Sequence, residues 1–322
     1  MIKSIEFNNF KVLRKAVLPL GRLNLLIGPN GSGKSTVFQA LRVASGTENI
    51  AAERVLSVKS PKDASVGFVI NWAEPFDGPK STVAFKGNRV ERLVDDRAEL
   101  FLAAARFYAL HADAIARQVP LVPNVQLGPD GSSLAGVLDR LRDEHPERFE
   151  KLNEELARWI PEVDRVLFET PVRGQRAFLL RTKAAQRAIQ AADLSQGTLL
   201  ALALLTLAYL PEPPPLIGLE EPDRGLHPRL MRDVRDALYR LAYPEQYGES
   251  RSPVQVIATT HSPYLVDLFR DHPEEIIIAN KHGTEATFER LSDRPDFEKV
   301  LEDSSLGEAW YTGILGGVPV QG

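Results

Sequence analysis

The chain contains no cysteine. Disulfides, thiolate metal sites and cysteine redox chemistry are thereby excluded, and the composition suits a reducing, cytoplasmic compartment. No leader is expected either, since the opening MIKSIEFNNFKVL alternates like a strand and has no apolar signal-peptide core. The longest apolar run, LLALALLTLAYL at 199–210, stops at Pro211 and is too short to cross a bilayer, so no membrane partner is expected. Nor is there a large excess of either charge: 39 Lys and Arg stand against 43 Asp and Glu, a formal net charge of −4. Net charge therefore gives no support to nucleic-acid or membrane-surface binding, and only a local patch can argue for either. No repeat or low-complexity tract appears, and PEPPP at 211–215 reads as a rigid connector. What remains is 322 residues, 43% of them hydrophobic, enough for one large core or a domain with an elaborate insertion.

Both ends of the chain alternate between strand and helix signals. Residues 2–27 read as two or three strands, the last being LNLLI, and KSTVFQALRVAS reads as a helix ending near Gly46. Further on, a helix over about 196–210 precedes the buried strand LIGL at 216–219. A helix after Pro228, the strand VQVIAT at 254–259, a helix after HSP, and the strands EEIIIAN and EATFERL complete the series. This alternation implies a mostly parallel sheet with helices on both faces. The middle, roughly 47–190, reads as an inserted α+β region. Within it ASVGFVINW and KSTVAFKGNRVERLV are strands joined by a Gly-Pro turn at 78–79. Helices span about 132–159, with Ser132 or Ser133 as a cap and a restart after Pro146, and short strands occupy 164–191. No heptads are sustained, so a long coiled-coil arm is not expected.

Four motifs carry chemistry. Gly28-Pro29-Asn30-Gly31-Ser32-Gly33-Lys34-Ser35, followed by Thr36, fits G-x-x-x-x-G-K-[ST] between an apolar strand and a helix. Glycines let successive backbone N–H groups face one phosphate chain, and the helix adds its positive end. Lys34 can reach the β- and γ-phosphates, and the Ser35 hydroxyl can ligand Mg²⁺. LIGLEEP ends an apolar strand on two acids, Glu220 for the metal and Glu221 as the base that polarises water. In DLSQGT at 193–198, Ser195 is either an ordinary helix N-cap or, with the Gly197 N–H and the helix dipole, a second anion cradle. IATTHSP ends a strand on His261, which is either a satisfied polar residue or a donor to a γ-phosphate.

In this order the motifs resemble the ABC-type ATPase core, and within it the SMC/RecF/OLD-like branch, often labelled AAA_21-like. The residues that carry the resemblance are IEFNNFKVL, the phosphate loop, LGPDGSSLAGVLDRL, LSQGTLLALALL, LEEPDRGLHP, TTHSPYLVD and SLGEAWYTGILGGVP. It implies an α/β fold of the P-loop NTPase class, ABC/RecF-like, with a mostly parallel sheet flanked by helices, an antiparallel β subdomain and an inserted helical or α+β lid. It implies one ATPase domain over 1–322, with an N-terminal lobe at 1–46, the insertion at 47–190 and a C-terminal lobe at 191–322. It also implies ATP and Mg²⁺ as ligands and a homodimer closed head to tail across ATP. Lys34 and Ser35 would hold nucleotide and metal, Glu220 and Glu221 would close the Walker B strand, and His261 would be the switch histidine. Ser195 and Gly197 would reach the ATP held by the other copy. The chain departs from the transporter pattern at Glu220, where Asp is usual, at Gln196 and Thr198, and at His227 in place of the D-loop Asp. Gln118 and Gln126 are candidates for the Q-loop.

About sixty residues follow His261, fewer than a typical domain, so a built-in Toprim nuclease is not expected. The end, WYTGILGGVPVQG, is either a final helix packed on the core or a partner-docking tail. The segment 172–187 carries Arg173, Arg176, Arg181, Lys183 and Arg187 with no acid, which reads as a DNA-backbone patch or as a solvated strand face. Taken together these features predict an ATPase of DNA repair or anti-phage and toxin-type defence, working with a separate effector such as a nuclease or toxin. The alternatives are the nucleotide-binding subunit of an ABC transporter and a low-turnover regulatory scaffold.

Overall fold

The structure is a computed structural model that describes all residues except Lys59, Lys62, Pro75, 77–79, Asn88 and 317–322. The turn expected at 78–79 and the last residues of the tail lie outside the described residues. In chain order come β1 (Ile2–Phe10), β2 (Leu13–Pro19), β3 (Leu23–Ile27), α1 (Lys34–Ala44), α2 (Ala52–Val55), β4 (Val66–Trp72), β5 (Ser81–Lys86) and β6 (Arg89–Leu93). Next are α3 (Asp96–Ala103), β7 (Arg106–Tyr108), α4 (Ala112–Ile115), β8 (Val119–Pro120), α5 (Leu134–Glu144) and α6 (Pro146–Trp159). After them run β9 (Val163–Glu169), β10 (Gln175–Thr182), β11 (Ala188–Gln190), α7 (Gln196–Tyr209), β12 (Leu216–Leu219) and α8 (Met231–Ala242). The chain closes with β13 (Gln255–Thr259), α9 (Pro263–Asp267), β14 (Ile276–His282), β15 (Glu285–Arg290), α10 (Phe297–Asp303) and α11 (Leu306–Tyr311).

Two compact units result. The first comprises Met1–Phe107, Pro214–Leu219 and Pro253 onward; the second comprises Tyr108–Pro213 and Glu220–Ser252. These limits differ from the lobes drawn on the sequence, because residues 47–107 fold with the N-terminal strands. β4 pairs antiparallel with β1, setting Ile5 opposite Ile70 and Phe7 opposite Phe68, and so draws β5 and β6 into one antiparallel sheet ordered β2-β1-β4-β5-β6. Its buried face is aromatic: the Phe10 ring lies 5.6 Å from those of Phe68 and Phe85.

The second sheet of this unit runs β15-β14-β3-β13-β12-β7. β3 is buried at all five positions and is parallel to both β13 and β14. Only an apolar strand tolerates that place, covered on both faces. The exception proves satisfied: buried Asn24 hydrogen-bonds Gly21 N, Gly21 O and Val256 O at 2.7, 2.9 and 3.0 Å. The Gln255 side chain joins the two sheets, accepting from Ile2 N at 2.9 Å and donating to Ile2 O at 2.7 Å. At the C-terminal end, α11 packs its Leu306, Gly307, Ala309 and Trp310 inward and leaves Tyr311 exposed, in line with a final helix on the core.

In the second unit α7 is buried from Leu199 to Tyr209, as a helix hydrophobic on every side must be. α6 and α8 pack on it with amphipathic faces. The cap expected for α5 is not made. Ser133 stands at the N-cap in a left-handed conformation, φ 69°, with no side-chain cap bond. The preceding loop closes on itself through Gly128 N to Ser132 O, 2.8 Å, and delivers the chain to the helix in that twist.

The helix ends of this unit are tied by one acid. Glu249, 8% exposed, pairs with Arg240 at 2.6 Å, Arg251 at 2.7 Å and Arg148 at 3.2 Å. Arg148 also donates to the Tyr209 and Leu210 carbonyls at the end of α7, and Arg251 to the Arg240 and Leu241 carbonyls at the end of α8. Burial acts to raise the Glu249 carboxyl, but the Arg240 charge, the Arg251 hydrogen bond and the remaining guanidinium charges outweigh it and hold it below the ordinary 4.5. A depressed carboxylate gives its stability in full above the ordinary value and loses it as pH falls through the folded one. Glu249→Gln should therefore cost about 3 kcal/mol in urea denaturation at neutral pH, by leaving three guanidinium groups without their acid. The gap to wild type should shrink in acid, and an unchanged midpoint at neutral pH would refute this role.

Candidate functional site

The phosphate loop leaves β3 at Ile27 and enters α1 at Lys34. Its shape depends on glycine at two places. At Gly28, φ is 155°, and a Cβ would stand 2.5 Å from Ala279 O and 2.7 Å from Ser32 Oγ. At Gly33, φ is 96°, and a Cβ would meet Leu13 Cδ2 at 2.9 Å and Val12 Cγ2 at 3.2 Å. The loop is thus pressed between β14 on one side and the β1–β2 turn on the other. α1 begins with no capping side chain and no acid in its first turn. Its first N–H groups and positive dipole end stay available to an anion. The Lys34 ammonium lies on the loop itself, donating to Gly28 O at 2.7 Å and Pro29 O at 3.0 Å. Ser35 is exposed and Thr36 half-buried, so the Ser35 hydroxyl is open to a metal. Curled backbone, folded-back lysine and uncapped helix start together fit a polyphosphate with Mg²⁺.

β13 runs beside β3 with Thr259 opposite Leu26. The chain therefore brings Thr260 and His261 to the same sheet edge as the loop. Thr260 is buried; its N–H donates to Leu26 O at 3.3 Å and its hydroxyl accepts from Ser262 N at 2.9 Å. The Ser262 hydroxyl caps α9 by accepting from Leu265 N. Between these two fixed residues the His261 side chain is exposed.

The acids and the Ser-Gly turn lie in the second unit. Glu220 directly follows β12, and its N–H donates to Tyr108 O at 2.8 Å. Glu221 has a φ of 46°, a left-handed conformation rare for a residue with a long side chain. Its carbonyl accepts from Arg224 N at 3.0 Å, closing the turn that follows. Strain of this kind gathers where a side chain must be aimed. Further along, His227 caps the short turn Pro228–Leu230, its Nδ1 accepting from Arg229 N at 3.2 Å.

Ser195 is the N-cap of α7, its hydroxyl accepting from Thr198 N at 3.2 Å and lying 2.9 Å from Thr198 Oγ1. Gly197 is close to the turn after Glu221: a Cβ on it would sit 3.1 Å from Gly225 O. The Ser-Gly turn and the acid turn are thus neighbours within this unit. Gln118 lines a depression of about 510 Å³ with Asp113, Ala116, Arg117 and Ala192, while Gln126 lies in the loop between β8 and α5.

The basic segment is less free than its sequence suggests. Arg176 pairs with Asp139 at 2.9 Å, and Arg181 makes a two-pronged pair with Asp164 at 2.9 and 2.7 Å. The first acid comes from α5 and the second from β9, so the run without acids is compensated across the fold. Arg173, Lys183 and Arg187 remain exposed in the turns flanking β10. Contacts that the sequence did not reveal are those of Val12 and Leu13 on Gly33, and of β14 along the loop. The motif FNNFKVL was a visible signal for the first, whereas EEIIIANKH reads only as a strand.

Comparison with known proteins bears on the family and the fold. Residues 68–267 match the family described as "AAA domain, putative AbiEii toxin, Type IV TA system", and residues 1–92 match the family "AAA ATPase domain". The first match covers well over half of the chain, which belongs to that family. A segment of 46 residues is 41% identical to the OLD nuclease of Thermus scotoductus (strain ATCC 700910 / SA-01), covering 14% of this chain and 9% of that protein's length. Among solved structures, an SMC head bound to the C-winged helix domain of ScpA superposes with a TM-score of 0.62 at 16% identity, over 89% of this chain and 96% of that one. The Pyrococcus furiosus SMC head with an extended coiled coil, bound to the C-terminal domain of ScpA, gives 0.62 at 15% identity, over 94% and 98%. The SMC head of Thermotoga maritima gives 0.52 at 16% identity, over 90% and 98%. The fold is therefore SMC-head-like. No helix among the described residues is long and apolar enough to cross a membrane.

The cap at Ser195 can be separated from any ligand role. Ser195→Ala should lower stability by about 1 kcal/mol, whereas Ser195→Asp, also a good cap, should restore it. Urea denaturation of both variants checks this, and a Ser195→Ala variant as stable as wild type would show that the hydroxyl does not support α7.

Proposed function

We propose that this chain binds and hydrolyses ATP and that two copies close head to tail across the nucleotide. The observation that carries the reading is the phosphate loop, with Lys34 lying on its carbonyls and α1 uncapped behind it. Lys34 and the loop N–H groups hold the phosphates, and Ser35 with Glu220 holds Mg²⁺. Mg²⁺ held by these residues would supply positive charge to the phosphates. Glu221 orients the attacking water and takes its proton. His261 steadies the γ-phosphate. Ser195 and Gly197 present the start of α7 to the ATP of the other copy.

The family description and the short identity with the OLD nuclease support a place in toxin-type defence or DNA processing with a separate effector. DNA contact would fall to Arg173, Lys183 and Arg187, since Arg176 and Arg181 are spent on acids. ATPase rates with and without DNA distinguish a DNA-responsive enzyme from a low-turnover scaffold.

Glu221→Gln tests the central assignment. It should leave ATP affinity within a factor of about two and slow hydrolysis at least a hundredfold. With ATP the variant should elute as a dimer in size-exclusion chromatography. Hydrolysis at the wild-type rate would remove Glu221 from the role of base. Ser195→Asp, stable but carrying a negative charge towards the phosphate, should bind ATP and fail to dimerise.

A further inference from the structure

β14 does more than flank the phosphate strand. It is in parallel register with β3, setting Ile278 beside Ile27, so its next residues pass alongside the loop. Alternation along a strand puts Ala279 and Lys281 on one face. Ala279 is the residue that crowds Gly28. Two positions further, the ammonium of Lys281 reaches the middle of the loop: a Cβ on Gly31 would lie 3.1 Å from Lys281 Nζ. The side chain is exposed, and no carboxylate pairs with it among the described residues. Across the hairpin its neighbour is Ala286, which cannot neutralise it. Lys34, by contrast, has its ammonium on Gly28 O and Pro29 O. The loop therefore has two cations against it, Lys34 at Gly28 and Pro29 and Lys281 at Gly31, and among the described residues Lys281 has no acid to balance it.

We propose that Lys281 is a second phosphate-binding cation of this site, contacting the polyphosphate of a nucleotide beside Gly31. The inference rests on the reading of the loop as a nucleotide site and adds a residue outside all four motifs. A lysine reaching over the backbone of such a loop gains little from the loop itself, because Gly31 offers it no side chain. An anion laid on the loop N–H groups would meet that ammonium without any rearrangement of the strand. Lys281 then favours nucleotides in proportion to their phosphate charge and leaves the base and sugar unread.

The test is calorimetric titration of the full chain with MgATP, MgADP and adenosine at low and high salt. Lys281→Met, which keeps the stem and removes the charge, should weaken ATP and ADP by roughly tenfold at low salt. It should leave adenosine unaffected and flatten the salt dependence. Lys281→Arg should retain most of the affinity. Bound ATP should also protect Lys281 of the wild-type chain from amine acylation, read by mass spectrometry, which does not depend on any variant folding. If Lys34→Ala abolishes ATP binding while Lys281→Met binds as wild type, Lys281 has no such role and the nucleotide site stands. Equal loss of ATP and adenosine in Lys281→Met would likewise overturn the proposal. A wild-type chain that binds no ATP would overturn the nucleotide reading and this inference together.

Discussion

The crowding around the phosphate loop is the constraint on which the rest of the first unit depends. Ala279 on one side and Leu13 on the other stand where the side chains of residues 28 and 33 would be. The loop can keep its curl only if both positions are glycine, and it can be so confined only if β14 and the β1–β2 turn are held in register. That register comes from elsewhere. Ile276, Ile277 and Ile278 lie beside Leu25, Leu26 and Ile27, and Ala286 N donates to Val12 O at 2.8 Å. An apolar sheet interior thus fixes a polar loop at its edge. The glycine positions and the buried strands are two sides of one packing problem.

This explains which parts of the architecture were legible in the sequence. β3, β12 and β13 are short, fully buried runs in which apolar residues predominate, a signal carried locally by the residues themselves. The loop and the α1 start were equally local, as was α7 with its Ser195 cap. The pairing of β4 with β1 was not. It joins residues some sixty positions apart, and nothing in GFVINW names its partner. The region from 47 to 107 therefore looked like an insertion, although it completes the N-terminal sheet.

Charge pairing was hidden for the same reason. The run from Arg173 to Arg187 contains no acid, yet Asp139 and Asp164 neutralise two of its guanidinium groups. Arg181 and Asp164 meet where the antiparallel β9–β10 pairing shifts register: Arg181 is opposite Arg165 and Thr182 opposite Val163, so Asp164 is the extra residue between them. A local charge count cannot see a cross-strand acid, so it overstated the patch. The opposite error holds at Lys281. It looked like one more residue of an ordinary strand, and only the passage of β14 along the loop gives its charge a place to act.

In the second unit the same kind of backbone contact links two motifs that are well separated in the chain. Glu221 is left-handed, and the turn it opens runs through Gly225 to His227. Gly225 O lies against Gly197, the second residue of α7, where a Cβ would fit only tightly, at 3.1 Å. The acid turn and the Ser-Gly turn therefore form one corner. A change in the backbone at Glu221 cannot be absorbed by a flexible side chain at that contact, because neither partner has one. It must be met by the backbone that positions Ser195, whose hydroxyl is in turn engaged with Thr198. The residue read as the base and the residue read as reaching the other copy thus belong to one corner, held in close backbone contact at Gly197 and Gly225.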